Sequence, residues 1–128
     1  MAMRILDYRA LRVYQEAFEA ALSVHEVSAG FPVVERFGLT DQIRRASRSV
    51  CANLAEAWRR RRSSKHFVSK LSDSDAEAAE VGVWLDFALR FGYMSVEQHA
   101  KLNRIYDGVN RQLTVMIRFP EQWIITDR

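Results

Sequence analysis

The chain has 128 residues and a mass of 14.9 kDa, which fits one domain over residues 1–128. With 48% hydrophobic and 27% charged residues, the composition excludes an intrinsically disordered chain, and a single cysteine excludes a disulfide framework within the chain. The formal net charge of +3 does not by itself identify a partner.

Apolar periodicity predicts four helices, over residues 8–28, 40–62, 64–91 and 95–118, followed by a short apolar C-terminal tail. Five glycines and two prolines are too few for a turn-rich β domain. Because the connections are short, the pattern favours an all-α fold, an antiparallel up-down-up-down four-helix bundle.

Capping residues define the predicted helix ends. Pro32 follows the first helix, Thr40 is the expected N-cap of the second, and the third is expected to start near Ser63 or Ser64. Ser95 and Gln98 have the spacing of a capping box at the start of the fourth helix.

The first and third helices carry more apolar residues than one seam of a bundle needs. Phe18 and Leu22 lie in one row of the first helix and Val24 lies in a neighbouring row, while Phe87 and Phe91 extend a second row of the third helix. Two interpretations stay open, a larger core within the chain and a surface for self-association.

Charge is distributed unevenly along the chain. Residues 36–70 hold ten basic and two acidic residues, a net charge of +8, and the remaining residues sum to −5. A helical wheel places an arginine-rich face on the second helix, opposite its core stripe. The candidate nucleic-acid-binding residues are Arg44, Arg45, Arg48, Arg59, Arg60, Arg61, Arg62 and Lys65.

Two functions are compatible with this face. Guanidinium groups bind phosphate oxygens in a bidentate fork and stay charged at any working pH, which favours RNA or DNA as the partner. Alternatively, the arginines pair with the acidic residues between Asp73 and Asp86 of the third helix, or with a neighbouring subunit, in a protein-interaction or scaffold bundle.

No motif indicates an enzyme, a cofactor or a metal site. Asp73, Glu77 and Glu80 have helical spacing, but no histidine follows a glutamate at the spacing that di-iron bundles use, so a solvated acidic face is favoured. Nucleotide-binding and hydrolase motifs do not occur in the sequence, and no catalytic residue is predicted.

Several polar or small residues are given structural roles. Gln42, Asn53 and Glu56 are expected to be structural, with Glu56 orienting one or two of the arginines. Cys51 is expected to be a packed thiol, and Gly82 to allow close approach by a neighbouring helix.

No targeting sequence is predicted. Asp7, Arg9 and Arg12 interrupt the apolar stretch that a signal peptide requires, and every window of 18 residues contains charge, so no membrane span or membrane partner is expected. A single cysteine in such a chain predicts a cytoplasmic protein.

A set of short segments spread along the chain forms a recognisable pattern. They include Phe31-Pro32, Glu35 to Thr40, Gln42 to Ala46, Ala52 to Glu56 and Gly92-Tyr93. With these residues the chain resembles the four-helix-bundle proteins encoded in intervening sequences of bacterial large-subunit ribosomal RNA genes, and the resemblance extends over nearly the whole chain. Two positions depart from the family pattern, Ala57 and the pair Ala76-Glu77, where the family has glycine or a Gly-Ser pair.

The resemblance implies more than the residues alone do. It implies an antiparallel four-helix bundle that forms a ring-like homo-oligomer, a pentamer. Related bundles are accessory proteins of diversity-generating retroelements and are thought to bind nucleic acid and a reverse transcriptase. No catalytic residue is carried over. The strongest family motif matches Gln42, Arg44, Arg45, Asn53 and Glu56.

Overall fold

Four α-helices form an antiparallel up-down-up-down bundle, so the predicted fold is confirmed. The computed structural model describes residues 7–125; the ends of the predicted domain, residues 1–6 and 126–128, lie outside the described residues. The helices are α1 (Arg12–Ser28), α2 (Leu39–Arg59), α3 (Ser64–Arg90) and α4 (Val96–Arg118).

The helices form a square array around one apolar core. Helices α1 and α3 each pack against α2 and α4, and among the described residues the diagonal pairs make no close backbone contact. Phe67, Leu71, Leu85, Tyr106 and Leu113 are among the largest fully buried side chains. Over residues 7–125, no helix is long and apolar enough to cross a membrane.

The second apolar rows of α1 and α3 remain on the surface of the chain. The core row of α1 includes Val24, whereas Phe18 and Leu22 are 45% and 47% exposed. Phe87 and Phe91 on α3 are 46% and 56% exposed, with ring centroids 5.8 Å apart. A single chain therefore does not bury these rows in a larger core, which was one of the two interpretations of the sequence.

The first helix does not run continuously from residue 8, as the periodicity predicted. A 3-10 turn covers Tyr8–Ala10, and Asp7 accepts a hydrogen bond from the backbone nitrogen of Arg9. Leu11 then has an extended backbone (φ −69°, ψ 128°), and its side chain is buried. Because the helix is interrupted at Leu11, the Leu11 side chain can pack in the core, and the predicted helix loses its first turn.

The N-terminus of α2 is capped by a residue other than the expected Thr40. The helix begins at Leu39, whose backbone nitrogen donates to Oε1 of Glu35 at 3.1 Å. The other oxygen of Glu35 accepts from the Tyr93 hydroxyl at 2.9 Å, which joins the α1–α2 and α3–α4 connections. A Cβ at position 38 would lie 2.8 Å from Glu35 Oε1, so a larger residue there would displace the carboxylate that caps α2.

Helix α2 ends three residues before the predicted end at residue 62. Arg60 leaves the helical conformation (φ −106°, ψ 21°), and the Arg61 Nε donates to the Trp58 carbonyl oxygen at 2.8 Å. This side-chain bond satisfies one of the carbonyls left open at a helix C-terminus. The following residues form the turn that reverses the chain into α3, where Phe67 enters the core.

The N-terminal caps of α3 and α4 follow the sequence prediction. Ser63 accepts a hydrogen bond from the first turn of α3, and Ser95 and Gln98 form the predicted capping box. Gly92 has a φ of 77° and ends α3 in a Schellman arrangement.

The predicted close approach of a neighbouring helix to Gly82, inside α3, is wrong, since a Cβ at this position would meet nothing within 4 Å.

Candidate nucleic-acid interface

Five of the predicted basic residues lie together at one end of the bundle, around the α2–α3 turn. This group, termed the basic corner, consists of Arg59, Arg60, Arg61, Arg62 and Lys65. All except Arg61 are exposed. Within residues 7–125, the side chains of Arg59, Arg60 and Lys65 make no hydrogen bond or ion pair. The corner therefore presents cations that are available to an outside anion.

Arg61 has a different environment from the other members of the corner. Its guanidinium carbon lies over the Trp58 ring, 3.6 Å from the ring centroid, and its Nε is bonded to the Trp58 carbonyl oxygen. Partial burial and then the nearby Arg59 charge lower the pKa of Arg61. Arginine nonetheless stays protonated at neutral pH, so Arg61 contributes a fixed planar cation.

The outer face of α2 extends the positive surface away from the corner. Arg45 is exposed and lies 3.8 Å from Asp41 one turn earlier, a separation at which a surface ion pair contributes little. Arg48 is exposed, with Nη2 3.4 Å from Nδ1 of His25. At 1.5 Å per residue, Arg48 and Arg59 are roughly 16 Å apart along the helix axis.

Arg44, in contrast, points toward α1. Its Nε donates to the Ser28 hydroxyl at 2.7 Å and its Nη2 donates to the His25 carbonyl oxygen at 3.1 Å. Both acceptors lie in the last turn of α1, where the helix dipole favours a cation. The geometry gives Arg44 a structural role as the C-terminal cap of α1.

The three predicted structural residues have separate environments. Asn53 donates to the Ser49 carbonyl oxygen in its own helix at 2.9 Å. Glu56 pairs with Lys70 of α3 at 3.0 Å, and this hydrogen bond is the main reason why the pKa of Lys70 is raised. The expectation that Glu56 orients arginines is wrong, because Lys70 holds its carboxylate. Gln42 is half-buried in the first turn of α2.

Three of the five acidic residues of α3 find partners on α3 and α4. Asp73 pairs with Lys70 on its own helix, and Asp75 accepts from the Asn110 amide at 2.6 Å. Asp86 lies 2.9 Å from the His99 Nε2. Among the described residues, none of these acids forms an ion pair with the candidate arginines Arg44, Arg45, Arg48, Arg59 or Arg60.

Glu77 is the carboxylate that remains near like charges. Burial raises the pKa of Glu77, and the charges of Glu80 and Asp73 raise it further, whereas the charge of Arg45 lowers it. Over the part of the chain that the structure describes, no group of three or more His, Cys, Asp or Glu side chains is placed to hold a metal ion.

A comparison with known families shows what kind of bundle this is. Residues 9–115 match the family described as 23S rRNA-intervening sequence protein. The chain belongs to this family. Among curated proteins, none matches the chain.

One similar solved structure supports the family fold. It is a protein with unknown function from the S23 ribosomal protein family of Bacteroides thetaiotaomicron VPI-5482, and it shares 30% sequence identity with this chain. The similarity covers 83% of this chain and 98% of the other, with a TM-score of 0.74.

The structure explains part of the sequence pattern that marks this intervening-sequence family member. In the segment from Glu35 to Thr40, the glutamate caps α2, the glycine makes room for it, and Leu39 is buried. Arg44 joins α2 to the end of α1. This part of the motif is therefore used to fix how α1, α2 and the α3–α4 connection meet.

Two features of the site were missed from the sequence. Trp58 lies under Arg61, and the spacing of three residues between a tryptophan and an arginine at a helix end could have indicated it. The Glu35–Tyr93 bond links residues 58 positions apart, and no local pattern predicts it.

Cys51 is partly buried as expected, and burial raises its pKa to about 11, so the thiol stays protonated at neutral pH.

Proposed function

We propose that this intervening-sequence family protein is a non-enzymatic, cytoplasmic, homo-oligomeric bundle that binds RNA or DNA. The binding surface is the basic corner together with Arg45 and Arg48 on the outer face of α2. The observation that carries the proposal is the exposure of Arg59, Arg60 and Lys65 with no acidic partner among residues 7–125.

The few acids of the basic segment do not neutralise the corner. Asp41 lies beside Arg45, and Glu56 is held by Lys70. These are the only two acids in residues 36–70, which carry ten basic residues. An arriving phosphate group therefore replaces water around Arg59, Arg60 and Lys65 and does not have to displace a carboxylate of residues 7–125.

The proposal is tested by nucleic-acid binding at several salt concentrations. We expect log affinity to fall linearly with log salt, with a slope of about −0.7 to −0.9 per phosphate contacted. Combined Arg59→Ala, Arg60→Ala and Lys65→Ala substitutions should weaken binding to all sequences and reduce the magnitude of the salt slope by about 3.

A variant with the same loss of charge provides the control. Arg90, Lys101 and Arg104 are exposed and lie outside the basic corner, so their combined replacement by alanine should leave the salt slope nearly unchanged. Equal weakening by both triple variants would show that only net charge matters and would contradict the site. Binding that does not change with salt would contradict the function.

The oligomer is proposed as a ring, and the resemblance implies five subunits. The exposed apolar rows support it, because Phe18 and Leu22 lie on α1 whereas Phe87 and Phe91 lie on α3. Helices α1 and α3 are diagonal in the bundle, so each subunit has two separate apolar faces. Contacts between two unlike faces lead to a closed ring or an open filament.

A protein-interaction or scaffold bundle is the second candidate. The α1–α2 connection exposes three large apolar side chains, Val33, Val34 and Phe37, each 83–86% accessible, which suits contact with another protein. The reverse transcriptase that the resemblance implies is one such partner. Purification with a specific protein and no nucleic acid, together with dissociation of the oligomer when the arginines are removed, would favour this candidate.

A further inference from the structure

The geometry at Arg61 points to a stacking site for an unpaired nucleobase, which makes the basic corner a site for single-stranded nucleic acid. The inference rests on the proposed function and names its ligand more closely. Its basis is the position of the Arg61 guanidinium over the Trp58 ring, 3.6 Å from the centroid. At that separation a planar guanidinium is in van der Waals contact with the ring.

One hydrogen bond holds the side chain of Arg61 and a second holds its backbone. Its Nε donates to the Trp58 carbonyl oxygen at 2.8 Å, and its own carbonyl oxygen accepts from the Ile125 backbone nitrogen at 3.0 Å. Trp58 itself is 5% exposed and packs in the core. A free arginine loses up to about 2 kcal/mol of rotamer entropy when it is ordered, and much of that loss has occurred here before a ligand binds.

The face of Arg61 that lies away from Trp58 is the one that a base would use. Trp58 covers the other face of the guanidinium, and the residue as a whole is half-buried and so keeps part of its surface accessible. RNA-binding proteins stack unpaired bases on arginine planes as well as on aromatic rings. A base at this position would complete a three-layer stack of indole, guanidinium and base.

The neighbouring cations determine how the rest of the strand would lie. Arg59, Arg60 and Lys65 are exposed around the turn, and their side chains are without partners among residues 7–125, so they can follow the phosphates on either side of the stacked base. In a duplex each base is stacked and paired, and its faces are not accessible along the helix. Both RNA and DNA single strands offer the required face, whereas duplex offers only phosphates.

The test is fluorescence anisotropy with the full chain and a short labelled strand, as single-stranded RNA, single-stranded DNA and the matching duplex. We expect both single strands to bind more tightly than the duplex. Arg61→Lys keeps the charge but removes the plane, and it should weaken single-strand binding roughly tenfold, in line with the energy of one stacked base, while leaving the salt slope unchanged. Arg104→Lys, the matched control at an exposed arginine of α4 outside the basic corner, should change binding less than about twofold because the charge is kept.

The outcomes separate this inference from the proposed function. Salt-dependent binding that Arg61→Lys does not weaken, or a duplex bound as tightly as the single strands, would overturn the stacking site and leave the proposed function standing. Absence of binding to all three nucleic acids would overturn both. Thermal unfolding of each variant shows whether it is folded, and the preference of the parent chain for single strands tests the inference without any substitution.

Discussion

Arginines that look equivalent in the sequence have different roles in the structure. Arg44 caps α1 through the Ser28 hydroxyl and the His25 carbonyl oxygen, and Arg61 stacks on Trp58. Arg60 is exposed, and its side chain has no partner among residues 7–125. Periodicity places an arginine on a face of its own helix, but it does not show which group of another helix lies beside that face. The end of α1 decides the role of Arg44.

We expect Arg44→Ala to lower the free energy of unfolding by about 1–2 kcal/mol, because it removes two charge-assisted hydrogen bonds at a helix end. Arg45→Ala should cost less than about 0.5 kcal/mol, since Arg45 makes only a 3.8 Å surface ion pair with Asp41. Urea unfolding of the two variants compares them directly. Equal losses would show that the Arg44 contacts are not formed in solution.

At the scale of the helices, the capping residues in the sequence predict most of the helix ends correctly. Where a predicted end differs from the observed one, the difference has a local physical cause. Ser63 and the capping box at Ser95 were identified because a serine caps a helix through the backbone that immediately follows it. The start of α2 was assigned to Thr40 because its cap comes from Glu35, across a 3-10 turn. The predicted end of α2 at residue 62 lies beyond the observed end at Arg59, because arginine has a high helix propensity and does not indicate a turn.

The glycine inside α3 and the glycine that follows its C-terminus should respond in opposite ways to alanine. Gly82 lies inside the helix and a Cβ there meets nothing, so Gly82→Ala should stabilise the fold by about 1 kcal/mol. Gly92 has a φ of 77°, and alanine there should cost about 1–2 kcal/mol. Thermal unfolding measures both variants. A destabilising Gly82→Ala would mean that another subunit approaches the helix at this position.

At the scale of the whole molecule, the two halves of the charge distribution remain largely apart. Among residues 7–125, the ion pair between α2 and α3 is Glu56 with Lys70, which has the opposite polarity to the one expected, an arginine on α2 with an acid on α3. The apolar rows of α1 and α3 likewise find no cover within the described chain. A single subunit therefore leaves both a cationic and an apolar surface available to partners.

We expect Phe87→Glu to dissociate the oligomer, because burying a charge in an apolar contact is unfavourable and the aromatic area is lost as well. Val115→Glu is the control, since Val115 is also about half exposed, at 51%, but lies on α4 outside both rows. Light scattering or sedimentation reports the subunit number. A parent chain that is monomeric, or a Phe87→Glu variant that keeps the parent's size, would contradict the proposed ring.

The sequence by itself determined the four helices, their antiparallel order and the +8 segment, because periodicity, caps and charge are local properties of the chain. The tertiary structure decided which cations remain available and which surfaces stay uncovered. The Glu35–Tyr93 and Arg44–Ser28 bonds and the Glu56–Lys70 pair join residues on different elements, which meet only when the bundle packs. Packing thereby divides one run of basic residues into a helix cap, a stacked cation and an exposed corner.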